Sequence, residues 1–438
     1  MPPRTLGIRR EDKNAWERRV PITPGTVRRL VADHGIPVQV ERFPGRVFPD
    51  DAFAAAGAAL VDDCFGADLV VAVKEIPEHL FRPGGTYLFF SHTVKGQPGN
   101  MPMLRRLVEQ RCTLLDYERV VDGQGRRLIF FSWFAGAAGM IDTLAAVGQR
   151  YRWLGHANPF EAIRPAHTYA DLPAACRAIE EVGDRIRRDG LPAALSPFVV
   201  GITGYGNVSQ GAQHVLASLP VEERLPVDLP RIRAGAGGPC DRVFKVVFKE
   251  EHTVEPVDAG APFLLEEYFR HPERYRSVFD RHVGHLDVLV NGVFWTPAHP
   301  RLVTLDLLRS RATGGDPLRL QVIGDVSCDI GGSMECCVKA TSSGEPCFVW
   351  DPVAGEARDG VEGPGVVVMA VDNLPCELPR EAAETFSRAL EPYLPALVRA
   401  DFGVPTEALA LPPEFRRALL LHRGEFPPEY RYMADFLR

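Results

Sequence analysis

With 438 residues, 45% of them hydrophobic and 24% charged, the chain is long enough for two or three domains of ordinary globular composition. A formal net charge of −7, no run of eighteen apolar residues and an N-terminus (MPPRTLGIRRE) without a long apolar stretch argue against nucleic-acid binding, a transmembrane helix and a signal peptide. Nine cysteines are scattered, with Cys336 and Cys337 adjacent and none in a C-x-x-C pair, so no metal site or disulfide framework is expected, and the expected compartment is the reducing cytoplasm.

Residues 1–130 read as an α/β unit. A short strand precedes Gly7–Arg10, RRVPITP (18–24) leads into a helical pattern through Val27, Leu30 and Val31, and Ile36–Val40 alternates as a second strand. Three apolar runs follow: DLVVAVK (68–74), YLFFSH (87–92) and CTLLDYE (112–118). Each reads as a buried parallel strand, and they end in Lys74, His92 and Glu118. Ligands bind at the carboxyl ends of strands in open α/β sheets, so this is the layout of a site. RRLIFF (126–131) reads as one more strand, and Phe134–Leu154 as a long helix rich in small residues.

The stretch VVGITGYGNVSQG (199–211) runs from an apolar strand through Gly204-Tyr205-Gly206 into a helix that starts at Asn207 and Val208. Strand, tight glycine turn and helix N-terminus form a phosphate cradle, since glycines let the backbone approach a pyrophosphate and the first-turn N–H groups point at it. Ser209 stands where GxGxxG has its third glycine, with Gly211 and Ala212 just beyond; a plain βα connection is the bland alternative. Downstream, 222–242 reads as a loop, and FKVVFK (244–249), DVLVNGVFW (287–295) and LQVIGDVSCDIGGS (320–333) as strands. CFVWDP and GVVVMAVDNLP read as strands returning to the first domain, before helices at 379–394 and 413–421.

Only six of the 50 basic residues are lysines, at 13, 74, 95, 245, 249 and 339. A lysine retained in an arginine-rich chain marks places where a group must be able to lose its proton, although coding bias alone explains the ratio. Taken singly, Lys74 reads as a strand-end surface lysine, His92 as a structural histidine and Arg19 as half of a salt bridge. Together, Arg19 and Lys95 can hold carboxylates while Lys74 and His92 move protons. Opposite a dinucleotide fold, these are the parts that hydride reduction of a carbonyl or imine requires. Burial and like charge from Arg19 and Lys95 would favour the neutral amine of Lys74.

The chain resembles the lysine–2-oxoglutarate reductase (saccharopine dehydrogenase, L-lysine-forming) domain of the bifunctional aminoadipic semialdehyde synthases. The resemblance rests on GIRRED, WERRVP, FFSHTVK, LLDYERVVD, FAGAAGMI, TGYGNVSQGAQ, HPERY, GDVSCDIGGSMEC and VDNLPCELP, and extends more weakly to fungal saccharopine dehydrogenases and alanine dehydrogenase. It implies two Rossmann-like α/β domains with parallel sheets separated by a cleft. The substrate domain would span residues 1–133 and 334–438 and the dinucleotide-binding domain 134–333, the C-terminal segment rejoining the first. It implies reductive condensation of L-lysine with 2-oxoglutarate to saccharopine. Lys74 and His92 become the acid–base pair, and Arg19, Lys95, Glu75 and Glu118 line the substrate site. Gly204 to Ser209 and Asp325 bind the coenzyme. Asn14 stands where fungal enzymes have a lysine. The second catalytic domain of the bifunctional enzymes has no counterpart here, so a separate saccharopine-oxidising enzyme is the expected partner.

NADPH is the expected coenzyme, with NADH as the alternative. Glu222, about 20 positions past the glycine turn, favours NADH; Arg224 or the arginines of 231–242 favour NADPH; and KEEHTVEP (249–256) is partly acidic where the resembling enzymes are basic. Two other functions fit less well: a reductase for another amino acid/2-oxo acid pair, and a non-catalytic metabolite-binding module, which would need neither Lys74 nor His92.

Overall fold

A computed structural model describes residues 4–235, 240–314 and 319–438. The chain forms two compact α/β units, one running to Phe131 and resuming over Pro379–Arg438, the other spanning Ser132–Leu378.

In the first unit, strands β1 (Leu6–Ile8), β2 (Val38–Glu41), β3 (Ala59–Val61), β4 (Leu69–Val71), β5 (Thr86–Phe89) and β6 (Thr113–Asp116) are interspersed with helices α1 (Pro24–His34), α2 (Asp50–Ala55) and α3 (Met101–Glu109). The seven-stranded sheet runs Leu419–Leu421, β6, β5, β4, β1, β2, β3, all parallel except the returning strand, which pairs antiparallel with β6. Proline opens α1, where its missing N–H costs nothing, and Gly35 at φ 64° closes it, with Ile36 N–H reaching Leu30 O at 3.0 Å. The central strands are apolar throughout because both faces are covered. Val71, Val73, Leu88, Phe90 and Leu115 pack with Phe386 and Leu390 of helix Pro379–Leu390. Val70, Tyr87, Phe89 and Leu114 pack with Leu104 and Leu107 of α3 on the other face.

The second unit opens with α4 (Ser132–Trp153) and α5 (Leu172–Asp189). Then follow β7 (Phe198–Thr203), α6 (Asn207–Leu216), β8 (Val221–Arg224), β9 (Val243–Phe248), the hairpin of β10 (Val254–Pro256) and β11 (Tyr275–Ser277), β12 (Val288–Asn291), β13 (Val322–Asp325), β14 (Cys347–Asp351), β15 (Glu356–Asp359) and β16 (Val366–Met369). Its eight-stranded sheet has the order β15-β14-β16-β13-β12-β7-β9-β8, parallel from β16 to β8.

Four sequence expectations are corrected. The strands read in CFVWDP and GVVVMAVDNLP, β14 and β16, belong to the second sheet, so the chain leaves that unit at Leu378 and not near 334. RRLIFF forms no strand, only an isolated bridge between Val121 and Arg127. The segment 222–242 carries β8 and a helix at Leu229–Ala234, while residues 236–239 lie outside the described residues. The helix read at 413–421 stops at Arg416, and Leu419–Leu421 pairs with β6 instead, because LLL fits a doubly buried sheet position.

Asp142 of α4 and Glu377 are both buried and hydrogen-bonded to each other. Asp142 also accepts from Ala166 N–H at 2.7 Å, while Ser343 and the His167 backbone contact Glu377, and Cys347 lies beside both carboxyls. Burial pushes the Asp142 carboxyl from 3.8 up to about 6, and burial plus the Asp142 charge push Glu377 up strongly. The folded state therefore keeps a proton that the unfolded chain releases. The stabilisation is full in acid, below the unfolded values, and is lost as pH rises through the folded ones. The melting temperature should fall as pH rises from about 4 through about 6, by an amount equivalent to about 1–3 kcal/mol. Glu377→Gln, which keeps a donor towards Asp142, should flatten that slope; equal slopes for the two proteins would remove the pair as its cause.

Candidate active site

Strands β6, β5, β4 and β1 are neighbours in the first sheet, and their carboxyl ends bring the charged residues of four separate sequence stretches to one edge. Beyond β5, His92 sits in the left-handed region at φ 47°, a backbone state that costs a non-glycine residue about 1–2 kcal/mol. Asn100 Nδ2 holds it there through the His92 carbonyl at 3.1 Å. Its Nδ1 meets Glu75 Oε1 at 2.7 Å, and Glu75 Oε2 lies 3.2 Å from Lys13 Nζ. Burial opposes the Glu75 charge, yet the His92 hydrogen bond and charge, with Lys13 behind them, hold its carboxyl down at about 2. Lys74, half-buried, is the residue before Glu75. Lys13, Glu75 and His92 are thus joined in one chain.

The other expected substrate residues are placed differently. Arg19 is buried, its Nε and Nη2 held by both Glu17 oxygens at 2.7 and 2.5 Å and its guanidinium 4.3 Å from the centroid of the Phe131 ring. This is the salt-bridge geometry of the bland reading. Glu118 pairs with Arg127 at 2.7 Å, and Lys95 is exposed, its N–H bonded to Gln97 Oε1. Sequence reading missed Glu11 and Lys13; their signal is the density of charge in RREDK directly after an apolar strand.

In the second unit, Gly204 takes φ 84°, and Gly206 caps α6 without a side-chain hydrogen bond. Its two chain neighbours aside, no atom of the described residues lies within 4 Å of where a Gly206 Cβ would be. The first-turn N–H groups at Asn207, Val208 and Ser209 therefore stand at an open helix N-terminus, which fits a pyrophosphate. A cavity of about 520 Å³ adjoins the turn, lined by Gly204, Tyr205, Lys249, Glu250, Tyr268 and Phe269 among others, a size suited to a dinucleotide. Asp325 is buried, its Oδ1 accepting from Asn291 Nδ2 at 2.8 Å and Ser327 Oγ at 2.7 Å. Asn291 Nδ2 lies 2.9 Å from Oγ of Ser333, which lines the cavity. Burial pushes the Asp325 carboxyl up, against those hydrogen bonds.

The N-terminal domain of the alanine dehydrogenase/PNT family matches residues 7–138, and the family's C-terminal domain matches residues 250–427. The chain belongs to this family. It is 34% identical over 441 residues to the mitochondrial alpha-aminoadipic semialdehyde synthase of Bos taurus, a match that takes in 98% of this chain and 47% of the relative. It therefore spans about half the length of that relative. It is 29% identical to the saccharopine dehydrogenase [NAD(+), L-lysine-forming] of Neurospora crassa over 90% of this chain and 91% of the relative. A solved L-alanine dehydrogenase shares the fold at a TM-score of 0.61 and 19% identity, covering 99% of this chain and all of that one.

β7 lies between β12 and β9, and Lys249 and Glu250 directly follow β9, whereas Glu222 and Arg224 lie on the edge strand β8 and pair with each other and, through Glu222, with Arg242. No described helix is long and apolar enough to cross a membrane.

Gly211 is the small residue this family member uses where α6 meets α4: a Cβ there would run into the Trp133 carbonyl, and one at Gly136 into the Val208 carbonyl. Gly211→Ala should cost about 1–3 kcal/mol of stability and weaken coenzyme binding together with it. Thermal melting and a coenzyme titration measure both, and an alanine variant that melts like the parent would show that the helices can separate freely.

Proposed function

We propose that this oxidoreductase condenses L-lysine with 2-oxoglutarate and reduces the resulting imine to saccharopine. The observation that carries this reading is Lys74 standing next to the Lys13–Glu75–His92 chain at the strand ends. The names of the Bos taurus and Neurospora crassa relatives support it. The attacking ε-amine must lose a proton as it adds to the 2-oxo carbon, and the departing hydroxyl must gain one. Lys74 can do both, since an ammonium exchanges protons where a guanidinium does not. His92, with Nδ1 committed to Glu75, presents Nε2 as the partner. A reduced nicotinamide held at the glycine turn supplies the hydride.

For the coenzyme we favour NADH over the NADPH expected from sequence. Glu250 follows the strand beside the glycine turn and is hydrogen-bonded to Tyr205, whose hydroxyl its charge pushes upward. A carboxylate there accepts from a free 2′-hydroxyl and repels a 2′-phosphate. The bracketed NAD(+) in the Neurospora crassa relative's name agrees. Wild-type kcat/KM should be higher with NADH, and Glu250→Gln should narrow the ratio roughly tenfold, the size of one charge-assisted hydrogen bond. A wild-type preference for NADPH would overturn this choice.

A second reading, another amino acid/2-oxo acid pair, draws support from Arg19, whose fork is engaged by Glu17. Coenzyme oxidation with a panel of amines crossed against a panel of 2-oxo acids separates the two, lysine with 2-oxoglutarate being the best pair under the first. Lys74→Arg should lose roughly 10²–10⁴ in kcat, the usual size of general acid–base catalysis, with coenzyme affinity kept. Near-normal kcat in that variant would reduce Lys74 to a charge that orients substrate.

A further inference from the structure

We propose that Glu11 is a positioning residue: its carboxylate clamps the backbone turn from which Lys74 and Glu75 project. The inference rests on the reading of Lys74 as the acid–base group.

Main-chain pairing of β1 with β4 runs to Ile8 and Val71, and Arg9 N–H still reaches Val71 O at 3.0 Å. Past that point the two chains diverge. Glu11, 2% exposed, then bridges them through its side chain, Oε1 accepting from Val73 N–H at 2.6 Å and Oε2 from Lys74 N–H at 3.0 Å. Two consecutive amides thus point at the two oxygens of one carboxylate, and only the ionised form offers an acceptor to each. The side chain continues the ladder on the β1 side, where main-chain pairing with β1 has ended, while Phe90 N–H still reaches Val73 O at 3.1 Å on the β5 side.

This turn carries Lys74 and Glu75, the carboxylate bonded to His92. Lys74 extends from one clamped residue, and Glu75 follows directly, with His92 Nδ1 at 2.7 Å and Lys13 at 3.2 Å. A shift of the turn therefore displaces the amine and the Glu75–His92 pair together. Misplacement of about 1 Å in a reacting constellation costs on the order of 10²-fold in rate.

The clamp is also poised to titrate. Burial pushes the Glu11 carboxyl up from 4.5 to about 7, and the Glu17 charge adds to this, while the Val73 and Lys74 amides and Arg9 pull it back. Arg46 and Tyr117 also sense its charge. The raised value means the protonated carboxyl is favoured in acid, where one amide loses its acceptor. As pH rises through about 7 the carboxylate forms and the turn is fixed.

Glu11→Gln keeps the size and one acceptor but turns an NH₂ towards a backbone N–H. Its kcat should fall roughly 10–10²-fold with coenzyme affinity unchanged. Hydrogen exchange at the 73–75 amides, relative to intrinsic rates, should quicken. In the wild type their protection should increase through about pH 7, a dependence the variant lacks. A variant with wild-type kcat per folded molecule and a lower melting temperature would overturn the proposal, as would unchanged protection at 73–75. A wild type that never turns over lysine and 2-oxoglutarate defeats the reaction assignment alone, because the exchange measurement still decides the clamp.

Discussion

The glycine turn is where it is because two helix backbones can touch. Gly136 of α4 and Gly211 of α6 each lack the Cβ that would strike a carbonyl of the other helix. The same helix α4 is buried along most of its length and meets its other neighbours equally closely. Gly148 lies against the Phe160 backbone, Gly139 against Val326 and Leu374, and Thr143 against Gly324 of β13. A helix apolar and small on every side is a core helix, and here it is the surface against which the β7–α6 unit is set. The open N-terminus of α6 inherits its direction from that contact. The third-glycine role of the dinucleotide fingerprint has moved two positions, from Ser209 to Gly211, because what must be small is the residue facing the neighbouring helix.

The first unit poses a different problem, the concentration of carboxylates where parallel strands end. Burying a carboxylate costs several kcal/mol unless it is paired or hydrogen-bonded. Each one here has its own solution. Glu17 takes Arg19 bidentately, Glu11 takes two amides, and Glu75 takes His92 and Lys13. Asp116 accepts from Ser91 N–H, the Ser91 hydroxyl and Glu118 N–H, and burial still raises it to about 6. The consequence is an edge at which charge is fixed by local partners, so the ionisable side chains that face a substrate arrive in set positions.

What was legible in the sequence followed from periodicity and local turn chemistry. Uninterrupted apolar runs ending in Lys74, His92 and Glu118 marked three adjacent parallel strands, and Gly204-Tyr205-Gly206 marked the open helix N-terminus. Pairings between distant stretches were not legible. Nothing local says that LLL at 419–421 extends the first sheet, or that β14 and β16 stay with the second, because an apolar run fits any doubly covered position. Arg19 reads as an available cation until Glu17, two residues earlier, is seen to occupy it. Glu11 and Lys13 were passed over because charge next to an exposed loop ordinarily reads as surface.

Counting about twenty positions from the glycines leads to the edge of the second sheet. After α6 the chain goes first to the outer edge of the sheet as β8 and only then returns beside β7 as β9. The residue about twenty positions past the turn therefore lies on the edge strand, with β9 between it and β7. Charges on β8 have a sufficient explanation in that position: an edge strand is protected from unwanted pairing by charged side chains. Glu222 is tied to Arg242, and Glu223 to Lys245 at 2.8 Å on the neighbouring strand. The residues that follow β9 line the same cavity as an aromatic cluster in which Tyr268 packs against Tyr275 and His299. That cluster, built from the excursion between β9 and β12, forms one wall of the cavity beside the glycine turn. The detour through the edge thus leaves Lys249 and Glu250, one of each sign, as charged residues lining that cavity beside the glycine turn.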